Sequence, residues 1–152
     1  TMPYVKQQPE LIRRMIDEGH IVGNHSVTHP SGGLPSQSRE QQERELLDLH
    51  DYVKENFGYE MSLFRYPAGK FSEQSLAIVQ NVGYTSVFWS FAYKDWDPDN
   101  QPEATAALAK LKERLHPGAI YLLHAVSSTN TQVLGQFIDD ARAAGYEFVP
   151  YR

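Results

Sequence analysis

Gly19-His20-Ile21-Val22-Gly23-Asn24-His25-Ser26-Val27-Thr28-His29-Pro30 begins with a short apolar run between two glycines and ends in a polar loop carrying two histidines. The run reads as a strand over 20–24, and the two Gly and two Pro of 26–36 read as the loop after it. Before it, Leu11, Ile12, Met15 and Ile16 recur at helical spacing, with Gly19 as the stop. Beyond it, Ser38 and Gln41 have capping-box spacing, and Leu46, Leu47, Val53 and Phe57 carry a long helix to Gly58. The same alternation then repeats. A strand is predicted at 62–66, a helix capped by Ser72 running to Gly83, and a strand at 84–90. A helix over 102–115, a strand at 119–124, a helix over 131–144 and a closing strand at 146–149 follow. Alternating helix and strand implies right-handed crossovers and a parallel sheet, either an open doubly wound sheet or a barrel.

Both architectures place reactive groups where strands end. His25 and His29 follow the first predicted strand, Arg65 the second, Asp95 and Trp96 the third, and His124 ends the fourth. These four ends are expected to converge on one mouth. Because the first clear element is a helix, a strand ahead of it is expected upstream of Thr1.

Composition narrows the function. The 152 residues carry 14 Lys plus Arg against 19 Asp plus Glu, a net charge of −5, with no cationic run. Phosphate-backbone binding rests on clustered cations, so nucleic acid is not an expected partner. With 41% apolar residues, a single domain of this size buries roughly 68–70% of its unfolded surface. No stretch approaches the roughly 18 apolar residues of a membrane span, and none has the pattern of a signal peptide. The chain has no cysteine, which excludes disulfides, thiolate sites and cysteine nucleophiles and leaves six histidines as the main reactive inventory.

His25 and His29 stand four apart, a spacing that lets both imidazoles face one cation. Two surface histidines in a Pro/Gly loop would show the same spacing. A catalytic zinc usually takes a third protein ligand, and no residue stands at an obvious motif spacing to supply it. Arg65-Tyr66-Pro67-Ala68-Gly69 places a guanidinium at a strand end before a rigid turn. The Arg can clamp a carboxylate and the turn's N–H groups can serve an oxyanion, or the segment is a solvated Arg before an ordinary turn. His124 terminates the apolar run 119–123, which marks either a catalytic strand end or a core-edge imidazole bonded to backbone. His20, His50 and His116 read as structural or solvated.

Four strings, in order, resemble motifs of the polysaccharide deacetylase family with the NodB-homology fold. They are residues 19–30, Arg65-Tyr66-Pro67-Ala68-Gly69, Phe88-Trp89-Ser90 with Asp95-Trp96, and Gly118-Ala119-Ile120-Tyr121-Leu122-Leu123-His124. The wording around 88–96 and 116–130 is most similar to peptidoglycan deacetylases acting on N-acetylmuramic acid, on the way to muramic δ-lactam in spore cortex during sporulation. The resemblance implies a distorted parallel (β/α) barrel and a single catalytic domain over 1–152. It implies a divalent cation, zinc first, held by His25 and His29, and Arg65 orienting a catalytic base. It implies that Asp95 keeps His124 charged as general acid, that the Ala68 N–H serves the oxyanion, and that Trp96 and Leu122 line the pocket for acetyl methyl and sugar.

The family's early Thr-Phe-Asp-Asp-Gly type segment, which brings the base and a third metal ligand, has no match in these 152 residues. The chain is therefore expected to be N-terminally truncated, without its first strand or strands. The implied activity is hydrolysis of N-acetyl groups on amino-sugar polymers, most of all peptidoglycan. Chitin or chito-oligosaccharide deacetylation is one alternative, and a glycan-binding module keeping the aromatic residues Trp89, Tyr93 and Trp96 is the other. The parent protein is expected to be exported or held at the cell envelope, with its targeting signal outside this chain.

Overall fold

A computed structural model describes residues 1–151. By contact density the chain divides into two compact units, Thr1–Phe88 and a second from Trp89 onward.

The first unit is built on local signals that the sequence carries openly. Helices α1 (Met2–Gln7) and α2 (Pro9–Asp17) each have proline in the first turn, where its missing N–H has no partner to lose. Helix α3 (Arg39–Phe57) starts at a complete capping box. The Ser38 hydroxyl accepts the Gln41 N–H while the Gln41 side chain accepts the Ser38 N–H. It stops at Gly58, whose left-handed backbone (φ 66°) suits a residue without Cβ. Helix α4 (Glu73–Asn81) repeats the device with Ser72 and Ser75. Strands β1 (Leu63–Phe64) and β2 (Thr85–Ser86) pair in parallel, Leu63 with Thr85 and Phe64 with Ser86. On the other side of β1, Asn24 makes an isolated parallel bridge to Phe64. A Cβ at Gly23 would lie 3.2 Å from the Leu63 carbonyl oxygen, so glycine permits this approach. Leu46, Leu49 and Val53 of α3, Phe64 of β1, Tyr66, and Val79 of α4 form the centre of the core.

In the second unit, β3 (Phe91–Ala92) and β4 (Tyr121–Leu122) pair in parallel, Phe91 with Tyr121 and Ala92 with Leu122. Helices α5 (Ala104–Glu113) and α6 (Ser128–Ala143) pack on each other. Phe91, Ala107, Leu111, Val133 and Phe137 form its core. Both helices start at acceptor side chains: Glu103 takes the Thr105 and Ala106 N–H groups, and Ser127 takes that of Asn130.

The α/β class and the parallel pairing agree with the sequence reading, while several boundaries differ. The strand predicted at 20–24 is reduced to the bridge at Asn24. The strand predicted at 84–90 is shortened to β2 in the first unit, and β3, which was not anticipated, follows just beyond it in the second. The apolar stretch 146–149 forms no strand among the described residues, because strand geometry persists only where a neighbouring ladder takes up its N–H and C=O groups. Helix α5 begins two residues later than predicted, after its Glu103 cap, and α6 begins three earlier, after Ser127. The short α1 was not anticipated.

Candidate active site

Parallel register places two of the candidate residues side by side in the first unit. Asn24 bridges Phe64, so the residues that follow, His25 and Arg65, leave their strands together. The Arg65 N–H donates to the Asn24 carbonyl at 3.0 Å, and the Asn24 N–H donates to that of Leu63 at 2.8 Å. His25 Nδ1 lies 2.7 Å from the Arg65 carbonyl oxygen. A carbonyl can only accept, so Nδ1 carries the hydrogen and Nε2 is left with its lone pair. Burial, followed by the nearby Arg65 charge, pushes the His25 imidazole down to about 3, which keeps it neutral at physiological pH. The His29 ring stands edge-on to that of His25, centroids 4.8 Å apart. The two imidazoles thus form a pair of nitrogen donors, a set suited to zinc-like cations. No cluster of three or more His, Cys, Asp or Glu is gathered among the described residues.

The loop that carries these histidines is braced from below. Asn24, fully buried, donates through Nδ2 to the Leu46 carbonyl and to the Tyr84 hydroxyl and accepts the Ser26 N–H. The Ser26 hydroxyl accepts the His29 N–H at 3.0 Å. Glu45 of α3 accepts the Thr28 N–H and hydroxyl, and its carbonyl takes the Val27 N–H. These bonds hold a backbone that would otherwise relax. Ser26 (φ 70°), His29 (φ 53°) and Ala68 (φ 54°) are the non-glycine residues with left-handed backbone among the described residues, and all three belong to the candidate site segments.

Ala68 sits in the short 3-10 turn Pro67–Gly69 and is exposed. The Gly69 and Lys70 N–H groups fold back on the Tyr66 and Pro67 carbonyls, and neither turn consumes the Ala68 N–H. The Arg65 guanidinium is partly desolvated, which lowers its basicity, and no carboxylate among the described residues forms an ion pair with it.

The second unit holds a separate constellation. Parallel pairing of β3 with β4 brings Asp95, three residues past Ala92, to His124, two past Leu122. Asp95 is fully buried. Its Oδ1 lies 2.7 Å from His124 Nδ1, while Oδ2 accepts the His124 N–H and the Asn130 side-chain amide, each at 2.7 Å. His124 therefore directs Nδ1 at the carboxylate, and Nε2 remains for chemistry. Trp96 is half exposed, its ring 6.0 Å from the imidazole. Gln101 ties the loop to the start of α6, donating to the Asp95 and Asp97 carbonyls and accepting from Ser127. Leu122, partly buried in β4, pairs with Ala92.

The structure thus groups His25 and His29 with the Arg65 backbone, and Asp95 with His124 and Trp96. The other histidines are structural or exposed: His50 bonds the Tyr84 hydroxyl at 2.7 Å, His116 faces the Pro117 carbonyl, and His20 is exposed. Sequence reasoning missed Asn24, Ser26, Glu45, Gln101 and Asn130. Only Asn24, a polar residue closing an apolar run, and Asn130, three past a capping serine, carried a local signal.

The polysaccharide deacetylase family model matches residues 1–87. Peptidoglycan-N-acetylmuramic acid deacetylase PdaA of Bacillus subtilis is 43% identical over 149 residues, 97% of this chain and 56% of the relative. Its solved structure, described as a family 4 carbohydrate esterase, superimposes with a TM-score of 0.89 at 42% identity, covering 96% of this chain and 62% of that one. A chitooligosaccharide deacetylase of Sinorhizobium fredii is 35% identical over 80% of this chain and 54% of its own length. A family 4 pseudoenzyme from Bacillus anthracis superimposes with a TM-score of 0.86 at 25% identity, covering 96% of this chain and 50% of that one. The chain spans about half the length of the curated relatives it matches.

Proposed function

Because the chain belongs to the polysaccharide deacetylase family, we propose that it contributes the histidine, arginine and general-acid parts of a metal-dependent hydrolase removing N-acetyl groups from amino-sugar polymers. Peptidoglycan, at its N-acetylmuramic acid units, is the substrate we favour, on the similarity to PdaA. In this reading the whole is one catalytic domain of the family's distorted (β/α) barrel type, and the Asp-Asp motif comes from outside these 152 residues. The muramic δ-lactam branch of spore cortex is the narrower assignment. Since peptidoglycan lies outside the membrane, the parent protein works exported or at the envelope. No helix among the described residues is long and apolar enough to cross a membrane.

The observation that carries the reading is the buried Asp95–His124 pair, which fits the requirements of a general acid. Asp95 orients the imidazole through Nδ1, and His124 Nε2 gives its proton to the departing amine nitrogen as the C–N bond breaks. The Ala68 N–H donates to the oxygen that gains negative charge in the tetrahedral transition state. Arg65, partly desolvated and without an ion pair among the described residues, orients the carboxylate base that takes a proton from the attacking water. His25 Nε2 and His29 would hold a divalent cation, zinc in our reading, which supplies Lewis-acid polarisation of the acetamide carbonyl and of water. Trp96 and Leu122 line the pocket for the sugar and the acetyl methyl.

The test is acetate released from purified peptidoglycan. The chain alone is compared with the chain joined to an N-terminal strand bearing the family's Asp-Asp motif, with divalent cation and with chelator. We expect release by the joined form, abolished by chelator and by His124→Ala. Unchanged release by His124→Ala would remove the general-acid role. Similarity to a pseudoenzyme favours a second reading, a glycan-binding module, and glycan retention without acetate release by either form would establish it. Release from chito-oligosaccharide alone would move the substrate class.

A further inference from the structure

Asp95 has no solvent exposure, so the direction of its carboxylate is set entirely by protein groups. Two of the three hydrogen bonds at its oxygens come from His124, the residue it must orient. The third comes from the Asn130 side-chain amide, 2.7 Å from Oδ2. Which end of that amide faces Asp95 follows from chemistry. Asn130 Nδ2 approaches both the Asp95 carboxylate and, at 3.3 Å, the His124 carbonyl, and neither of those can donate to an amide oxygen. The amide oxygen is thereby turned to Tyr93, whose hydroxyl donates to it. Burial and the neighbouring Asp95 charge raise the Tyr93 phenol, so it remains an O–H donor. Tyr93 follows β3 and Asn130 lies in the first turn of α6, with its own N–H taken by the Ser127 hydroxyl. The result is an ordered chain of hydrogen bonds across two elements, Tyr93 donating to Asn130 and Asn130 to Asp95, where both hydrogen bonds from His124 are also accepted.

We propose that Asn130, held in one amide orientation by Tyr93, is the positioning residue of the general acid: it locks the Asp95 carboxylate so that Oδ1 faces His124 Nδ1 and Nε2 is presented to the substrate nitrogen. The catalytic meaning of this role rests on the deacetylase reading above, whereas the hydrogen-bond order does not. Asparagine is suited to the position because it both donates and accepts at short reach. An aspartate would set a second carboxylate against Asp95, and an alanine would leave Oδ2 without one of its two donors in a water-poor site.

Two measurements separate the proposal from the reading it rests on. The first uses the 152-residue chain itself and follows the His124 Nδ1–H proton by NMR, assigned by its loss in His124→Ala. In the parent chain this proton is expected downfield and slow to exchange. In Asn130→Ala it is expected to move upfield or exchange away, and Tyr93→Phe, which keeps the ring packing, is expected to shift it in the same direction by less. A purely structural Asn130 would lower Tm and leave that proton in place. If Asn130→Ala does not fold, Tyr93→Phe decides, and an unmoved Nδ1–H resonance in that variant overturns the ordered chain of hydrogen bonds. The second is kinetic, on the form extended with the Asp-Asp strand. Asn130→Ala should lower kcat by about tenfold or more, with KM near the parent value, because misorientation of an acid acts on the chemical step. An unchanged kcat overturns the positioning role. Absence of acetate release by the parent itself removes the enzyme reading, and the NMR result still decides whether Asn130 orients the pair.

Discussion

Ala68 holds a left-handed backbone (φ 54°, ψ 16°) that costs a non-glycine residue roughly 1–2 kcal/mol. The strain is retained in the turn whose N–H we assign to the oxyanion. Two substitutions separate backbone from donor. Ala68→Gly keeps the N–H and relieves the strain, partly offset by a more flexible unfolded chain, so stability is expected to stay level or rise by up to about 1 kcal/mol with acetate release preserved. Ala68→Pro removes the N–H and cannot adopt positive φ, and release should fall by about 100-fold or more. Parallel measurement of Tm and acetate release checks both. His25, His29, Arg65 and His124 could be singled out as candidates because imidazole spacing and strand-end placement depend on neighbours in the chain, and Ala68 because of its turn and the motif resemblance. Their tautomers and backbone strain were not legible, because the Arg65 carbonyl that orients His25 is 40 residues away.

The helices follow their caps. Ser38, Ser72 and Gly58 were readable since a cap is a contact over three or four residues, and each does what its chemistry predicts. Ser38→Ala removes the hydroxyl that accepts the Gln41 N–H and should cost about 1 kcal/mol, read as a lower urea midpoint with an unchanged m-value. Helix α3 also carries Glu45, which anchors Thr28 in the histidine loop, so the cap supports the site as well as the helix. Strands were read less well. Each observed strand has two residues, although the apolar runs are longer, because a strand ends where its neighbour's ladder ends rather than where its hydrophobic residues do.

At the scale of the molecule, each unit owns a core, one centred on α3, β1 and α4 and the other on the α5–α6 pair. Leu46 is completely buried in the first, and its carbonyl also holds Asn24 beneath the histidine loop. Leu46→Ala should cost about 2–5 kcal/mol in urea unfolding, the range for a deleted core leucine. A cost near zero would mean that the site loop does not rest on a packed core. The sequence by itself determined the α/β class, the alternation of the longer helices with β1, β2 and β4, the caps Ser38 and Ser72 and the stop at Gly58, the family, and the candidate residues at strand ends. The family rests on the resemblance of four motifs, and the rest is written in composition, in periodicity or in contacts a few residues long. The tertiary structure decided which strand ends meet, which nitrogen of His25 and of His124 is free, and that Asn130 and Tyr93 stand behind Asp95. Those outcomes depend on ladder register and on hydrogen bonds between residues 29 to 40 apart, distances over which local propensity carries no information.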